Sequence, residues 1–434
     1  MRTSSILIGL TACLANALAL AGPREHVNDV AVLINDYYFD AQRAAKIAGE
    51  LRREADAGEY DRLTDPDDLA VELTRRLKPL DGHFNVVWEG AASGSTAAPE
   101  SARDMQPVPP ADFEAVDRRA NYGFRRVERL PGNIGYIDLA FAANIDFKDP
   151  KSPAQAAADG ALALVRGADA VILDLRGNGG GSPAMVGYLV SAFLERGKDV
   201  YNVFHSREGT ESERPDVAYP SPMLTVPLYI LTSARTASAA EAIAYTLQTC
   251  GRAKIVGERS AGAANPGMMF RTPQGFAIFV STGSPTNPLN GRNWENGGVQ
   301  PDIETSGERA LARAQVLALE GILAGSIAGI EQVDAQWALD ALRASVRPYT
   351  PARLSSYVGT YGPFEVTVSR GTLEAQRGRQ PALALVPLQK DVFYVEGEPA
   401  RRFFFVRTND RVVAVEVRRS RGDGQRFNRE HFGR

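Results

Sequence analysis

The sequence predicts an α/β fold with a mostly parallel, buried sheet, and three observations carry that expectation. Short apolar runs recur at Ile134–Leu139, Ala170–Leu175, Val226–Leu231 and Lys254–Val256. Helical patterns at Pro153–Val165, Ala184–Leu194 and Ala239–Thr249 fall between or beside them. The runs are near-continuously apolar rather than alternating, as expected of strands covered on both faces by crossover helices.

The flanks read differently. From Pro23 to about Leu80 apolar residues recur at helical spacing, in Val30–Ile34, Ala44–Ala48 and Leu69–Leu73, and predict a small helical bundle over residues 22–89. Gly90–Pro110 is rich in Ala, Ser, Gly and Pro and reads as a loop, within a linker over residues 90–120. The α/β core then spans residues 121–305, with Phe276–Thr282 a further strand and Val299–Glu304 closing it. Residues 306–350 return to helix, periodic from Ala310 to Leu323 and from Trp337 to Ala344, and are expected to be a helical linker ended by Pro348 and Pro351. Period-two segments such as Phe364–Val368 and Val412–Val417 predict a small all-β domain over residues 351–434.

Composition narrows the function classes. A chain of 434 residues with 44% apolar and 23% charged residues is ordinary globular protein, long enough for two or three structural units. A net charge of -3 offers no field for a nucleic-acid backbone. Arginines crowd Arg401–Arg434, but Asp410, Glu416, Asp423 and Glu430 are interleaved, which favours a solvated sheet face over an anion patch.

The first 21 residues look like an export signal: Arg2, an apolar run from Ile6 to Leu20, and small residues at Ala17, Ala19 and Ala21 for cleavage. Leu10-Thr11-Ala12-Cys13 resembles a lipidation site at Cys13, although the chain stays apolar after it. No other stretch is apolar enough to cross a membrane. With the leader removed only Cys250 remains, which excludes an internal disulfide and Cys-based zinc sites. The four histidines lack ligand spacing, so neither metal nor cofactor is expected.

Two segments carry chemistry. Asp174-Leu175-Arg176-Gly177-Asn178-Gly179-Gly180-Gly181 follows a buried strand and precedes a helix. A phosphate loop would end in Gly-Lys-Ser/Thr and a dinucleotide fingerprint in a third glycine, but Gly181-Ser182-Pro183 supplies neither. A purely structural turn stays open, yet three glycines at a strand's carboxyl end fit an oxyanion hole better. The second segment is Thr236-Ala237-Ser238-Ala239-Ala240-Glu241, after a strand and at the start of a helix. Ser238 is either a plain helix cap or a nucleophile whose oxyanion would face the amide of Ala239. A serine needs a base, and the candidates are His26, His83, His205 and His431.

Together with Ile255–Gly262 and Trp294–Ile303, these segments resemble the tail-specific (C-terminal processing) peptidases, in the branch of the tricorn core and the interphotoreceptor retinoid-binding protein modules. The resemblance implies a crotonase-like (ClpP-like) core. It also implies a serine peptidase acting on peptides or unfolded protein tails. Lysine-dependent members place their base just past the glycine that matches Gly262, where this chain has Ala263. The tricorn-type set implies instead Ser238 as nucleophile, His83 as base and Glu295 orienting the imidazole, directly or through a hydroxyl. Gly180 and Ala239 would hold the oxyanion, with Gly179 as a substitute for Gly180. His83 and Ser238 are then expected within or near hydrogen-bond reach. The interval from His83 to Ile134 is too short for an inserted PDZ domain. A non-catalytic carrier of an apolar ligand is the alternative on the same scaffold.

Overall fold

The computed structural model describes residues 22–90, 110–198, 200–325 and 328–430. The expected leader with Cys13, most of the Gly90–Pro110 loop and His431 lie outside them. The chain divides into two units, residues 1–102 with 267–283, and residues 103–266 with 284–434.

In the first unit, helices Pro23–Tyr37, Ala41–Asp56 and Pro66–Leu77 form where the apolar spacing predicts them. Val27, Val30, Ala31 and Ile34 share one buried face, as do Ala44, Ile47, Ala48 and Leu51, at the three- and four-residue spacing of a helix stripe. Asp40 and Asp65 cap the second and third helices, accepting from the amides of Arg43 and Asp67. A three-stranded antiparallel sheet completes the unit, with Phe276–Ser281 between Asn85–Trp88 and Gly267–Arg271. Phe276, Ile278 and Val280 alternate inward onto the helices' apolar faces. The strand expected at Phe276–Thr282 therefore forms, but it pairs with Asn85–Trp88 and not with the parallel sheet. An apolar strand must be covered, but its sequence does not say by which layer, and here that layer is the helical bundle.

The second unit is built on a six-stranded sheet in the order Ile303–Glu304, Ala253–Gly257, Leu228–Thr232, Ala170–Asp174, Ile134–Leu139, Phe124–Leu130. All neighbours are parallel except the last pair. Every residue of Ala170–Asp174 and of Leu228–Thr232 is buried, which is why both read as unbroken apolar runs. Alternate side chains serve opposite layers. Val171, Leu173, Ile230 and Ile255 pack with helices Pro153–Val165, Pro183–Ser191 and Ala239–Thr249. Ala170, Ile172, Tyr229, Leu231 and Val256 pack with helices Gly307–Ala324 and Ile330–Val346. Those last two helices, expected as a linker, are thus the covering layer of the sheet's second face. Ala310, Ala314 and Ala318 lie a turn apart on the first of them and give the sheet a small-residue stripe to seat against.

A hairpin of Asn202–Ser206 and Gly209–Glu213, not anticipated from its polar sequence, lies between the second and third of the sheet's parallel strands in the chain. Residues 359–428 form an eight-stranded antiparallel meander with an aromatic core that includes Tyr361, Phe364, Phe393 and Phe403. Its arginines are largely spent on pairs and stacking. Arg407 meets Asp391, and the buried Arg402 lies 4.4 Å over the Trp337 ring and donates to Asp340. No helix among the described residues is long and apolar enough to cross a membrane.

Candidate active site

The glycine turn begins where Ala170–Asp174 ends. Asp174 accepts from the Tyr136 hydroxyl at 2.7 Å and pairs with Arg176, which ties the turn's first residues to the sheet. Asn178, fully buried, does most of the shaping. Its amide donates to Leu139 O at 3.1 Å, its Oδ1 accepts from Gly180 N at 2.8 Å, and its carbonyl accepts from Ala237 N at 3.0 Å. Gly180 has φ +120°, and a β-carbon there would stand 2.8 Å from the Ser238 Cβ. Gly181, at φ +139°, passes the Ala142 carbonyl so closely that a β-carbon would lie 2.1 Å from its oxygen. Both positions require glycine on conformation and on space.

The Ser238 segment is bolted to that turn. Thr236 Oγ1 donates to Leu175 O at 2.8 Å and Ser233 Oγ to Arg176 O at 2.6 Å. Ser238 sits at φ +53°, ψ −121°, at the head of helix Ala239–Thr249. An ordinary helix-capping serine has extended backbone, whereas Ser238 makes its capping-box contacts with Glu241 from a left-handed φ. A non-glycine residue in this region costs about 1–3 kcal/mol and persists only where its surroundings hold it. The helix start behind it presents amides with no intrahelical acceptor.

Glu241 is one of those holding groups, and sequence reasoning assigned it no role. Its carboxylate is fully buried and accepts four hydrogen bonds: Ser238 N and Ala263 N on Oε2 at 2.8 Å each, Gly262 N at 2.7 Å and Ser260 Oγ at 2.5 Å on Oε1. The three-residue spacing from Ser238 to Glu241 is that of a capping box and could have signalled it. One carboxylate thus fixes both the serine's backbone and the segment Ser260–Ala263.

The closing motif packs on the same segment. Glu295 Oε2 accepts from Ala264 N at 2.8 Å and Asn265 N at 3.0 Å, while Asn296 N donates to Gly262 O at 2.9 Å. Trp294, only 2% exposed, borders a cavity of about 190 Å³ that Ser238 also lines, with Gly181, Val186, Asn202, Phe204 and Ala242 among its walls.

His83 belongs to the first unit. Its ring Nδ1 lies 3.4 Å from Asp81 Oδ1, and its backbone amide donates to the same oxygen at 2.9 Å. Asp81 is 1% exposed. Burial would raise its carboxyl, but the His83 ring and amide and the nearby Ser281 hydroxyl outweigh that and hold it at about 2. The sequence reading named Glu295 for the imidazole and gave Asp81, two residues from it, no role.

Among the expected site residues, Ser238, Gly180 and Ala239 meet in the second unit, with Glu295 beside the Ser260–Asn265 segment there. The amide of Gly180 is committed to Asn178, which removes it from the donors ready to meet an oxyanion; Gly179 is exposed at the same turn. His205 is held between Thr210 and Thr286 hydroxyls, and His26 packs against Phe276 in the first unit. Within each unit taken by itself, no three His, Cys, Asp or Glu side chains among the described residues converge to hold a metal ion.

A covered parallel sheet, a glycine turn at one strand end and a constrained serine at the next are parts of a single domain, and residues 133–305 match the model of peptidase family S41. That stretch is similar to an S41 peptidase domain. The chain is 32% identical over 176 residues to the carboxyl-terminal-processing protease of a Picosynechococcus species, covering 40% of each protein. It is 28% identical over 183 residues to carboxyl-terminal-processing peptidase 1 of Arabidopsis thaliana chloroplasts, covering 42% of this chain and 36% of that one. The chain thus spans less than half the length of these relatives. A solved photosystem II D1 C-terminal processing protease is 26% identical, covers 40% of this chain and 43% of its own, and superposes with a TM-score of 0.33.

Proposed function

We propose that this chain is a serine peptidase that cleaves peptides or unfolded protein tails through an acyl-enzyme formed on Ser238. The observation that carries the proposal is the Ser238 backbone, at φ +53°, ψ −121° on the first turn of a helix and packed against Gly180. A helix cap has no use for that conformation, whereas a hydroxyl presented beside orphan helix amides is placed for attack on a carbonyl.

In this mechanism Ser238 Oγ attacks the scissile carbonyl and His83 takes its proton, then delivers it to the departing amine. Asp81 holds the imidazole and stabilises its protonated form, the role first expected of Glu295. Glu295, bonded to the amides of Ala264 and Asn265, acts in the same site as the carboxylate that fixes the loop over the nucleophile. The amide of Ala239 receives the oxyanion together with a turn amide, Gly179 in place of Gly180.

Fluorophosphonate labelling tests the proposal. An adduct on Ser238, absent in Ser238→Ala and slowed in His83→Ala, is the expected result. No adduct, with retinoid or fatty acid bound equally by wild type and Ser238→Ala, would leave the carrier reading instead. We also propose export, which rests on Arg2 and the apolar run Ile6–Leu20. N-terminal sequencing of the protein recovered outside the cytoplasm, starting near Leu20 or Gly22, is the outcome required.

A further inference from the structure

We propose that the cavity beside Ser238 receives the substrate side chain on the acyl side of the scissile bond, and that Glu213 makes it selective for lysine. The inference rests on Ser238 being the nucleophile, because that residue lines the cavity.

The walls are mixed in a particular way. Pro183, Val186, Phe204 and Pro285 offer apolar surface to a side-chain stem, and about 190 Å³ is enough for four methylenes and a small head group. Two further lining residues, Asn202 and Glu213, face each other across the hairpin, with Asn202 Nδ2 donating to Glu213 Oε2 at 2.9 Å. That bond orients the amide and leaves Asn202 Oδ1 as a second acceptor. Asn202 is 5% exposed, and its Oδ1 meets no donor among the described residues.

No lysine or arginine pairs with Glu213 among the described residues. Burial pushes its carboxyl above the ordinary range, the Asn202 bond only partly opposes this, and Glu211 adds to it. Glu213 is half-buried, and a carboxylate drawn partly out of water is steadied by a cation beside it. Here the missing cation would come with the substrate. An ammonium, all donors on an aliphatic stem, suits two acceptors at the end of an apolar slot. Glutamine also brings donors, but it leaves the carboxylate's charge unmatched.

The test uses peptides identical except for lysine, norleucine or glutamine on the acyl side of the cleaved bond. Norleucine keeps the stem and lacks the charge. Lysine should exceed norleucine in kcat/KM by at least about tenfold, the scale set by a matched against an unmatched buried polar group. In Glu213→Gln that ratio should fall to near one. A ratio measured on one preparation cancels the active fraction, so partial misfolding of the variant does not obscure the result. A wild-type ratio near one, an unchanged ratio in Glu213→Gln, or glutamine preferred over lysine would overturn the proposal. If no peptide is cut and Ser238 takes no label, the peptidase reading fails by itself. The pocket is then judged by equilibrium binding to Ser238→Ala, where lysine peptide must bind more tightly than norleucine peptide and lose that margin on Glu213→Gln.

Discussion

Gly180 and Ser238 touch at the backbone: a β-carbon on Gly180 would stand 2.8 Å from Cβ of Ser238, with Ala239 N only 3.3 Å away. No side chain fits between the glycine turn and the head of the helix. The nucleophile candidate is therefore positioned by main chain, which is stiffer than any rotamer.

Gly180→Ala tests this contact. The substitution meets both φ +120° and the Ser238 Cβ, so one backbone must move. We expect a loss of about 1–3 kcal/mol in urea unfolding. Fluorophosphonate labelling should slow by about 100-fold or more, since sub-ångström misplacement at a reacting centre is costly. Labelling at the wild-type rate would show that the serine is held by something else.

Glu241→Gln probes the buried carboxylate. Two donors reach each of its oxygens, so an amide nitrogen in place of either oxygen would confront two hydrogens. We expect destabilisation of about 3 kcal/mol, the scale for breaking a buried charge-assisted network. The conservative Glu241→Asp should recover part of the stability but not the labelling rate, because its shorter chain cannot reach both segments at once.

Asp81 predicts an acid limb in stability. Its carboxyl is held at about 2 in the folded protein, below the ordinary value of 3.8. A depressed carboxylate stabilises the fold fully above its unfolded pKa and loses that contribution as pH falls toward the folded one. The window is therefore from about pH 4 down to about pH 2, and the amount is about 2 kcal/mol. Urea midpoints across that range should fall in wild type and flatten in Asp81→Asn. The same variant should slow labelling at neutral pH if Asp81 serves the imidazole, as proposed.

Cys250 is half-buried at the end of helix Ala239–Thr249, and burial pushes its thiol up. Its reaction with a disulfide reagent in the native protein should be on the order of tenfold slower than that of a free thiol. Fast reaction would show a thiol more open to solvent than its burial implies.

Much of this was legible in the sequence for local reasons. A buried parallel strand must be apolar along its whole length, so Ala170–Leu175 and Val226–Leu231 stood out. The helix Pro153–Val165 announced itself by a proline at its first turn and a periodic alanine face. Ser238 and the glycine turn were visible because a strand followed by small residues and a helix is a local pattern. What escaped was non-local. Phe276–Ser281 looked like any apolar strand, and nothing in six residues says whether a helical bundle or a parallel sheet will cover it. Asn178 looked like a turn residue, yet its side chain takes the amide that Gly180 was expected to offer. The polar hairpin Asn202–Glu213 carried no apolar alternation to betray a strand pair beside a cavity.

By itself the sequence determined the strands of the central sheet and the helices between them, the position of the nucleophile candidate and the need for glycine beside it, because secondary structure and backbone freedom follow from side chains near in the chain. Only the tertiary structure decided which carboxylates matter. Glu241 gathers donors from residues 238 to 263, Asp81 is held low by the imidazole it faces, and Glu213 lines a cavity with no lysine or arginine paired to it among the described residues. The reason is physical: a carboxylate's role is set by the donors and solvent around it, and folding alone brings those together.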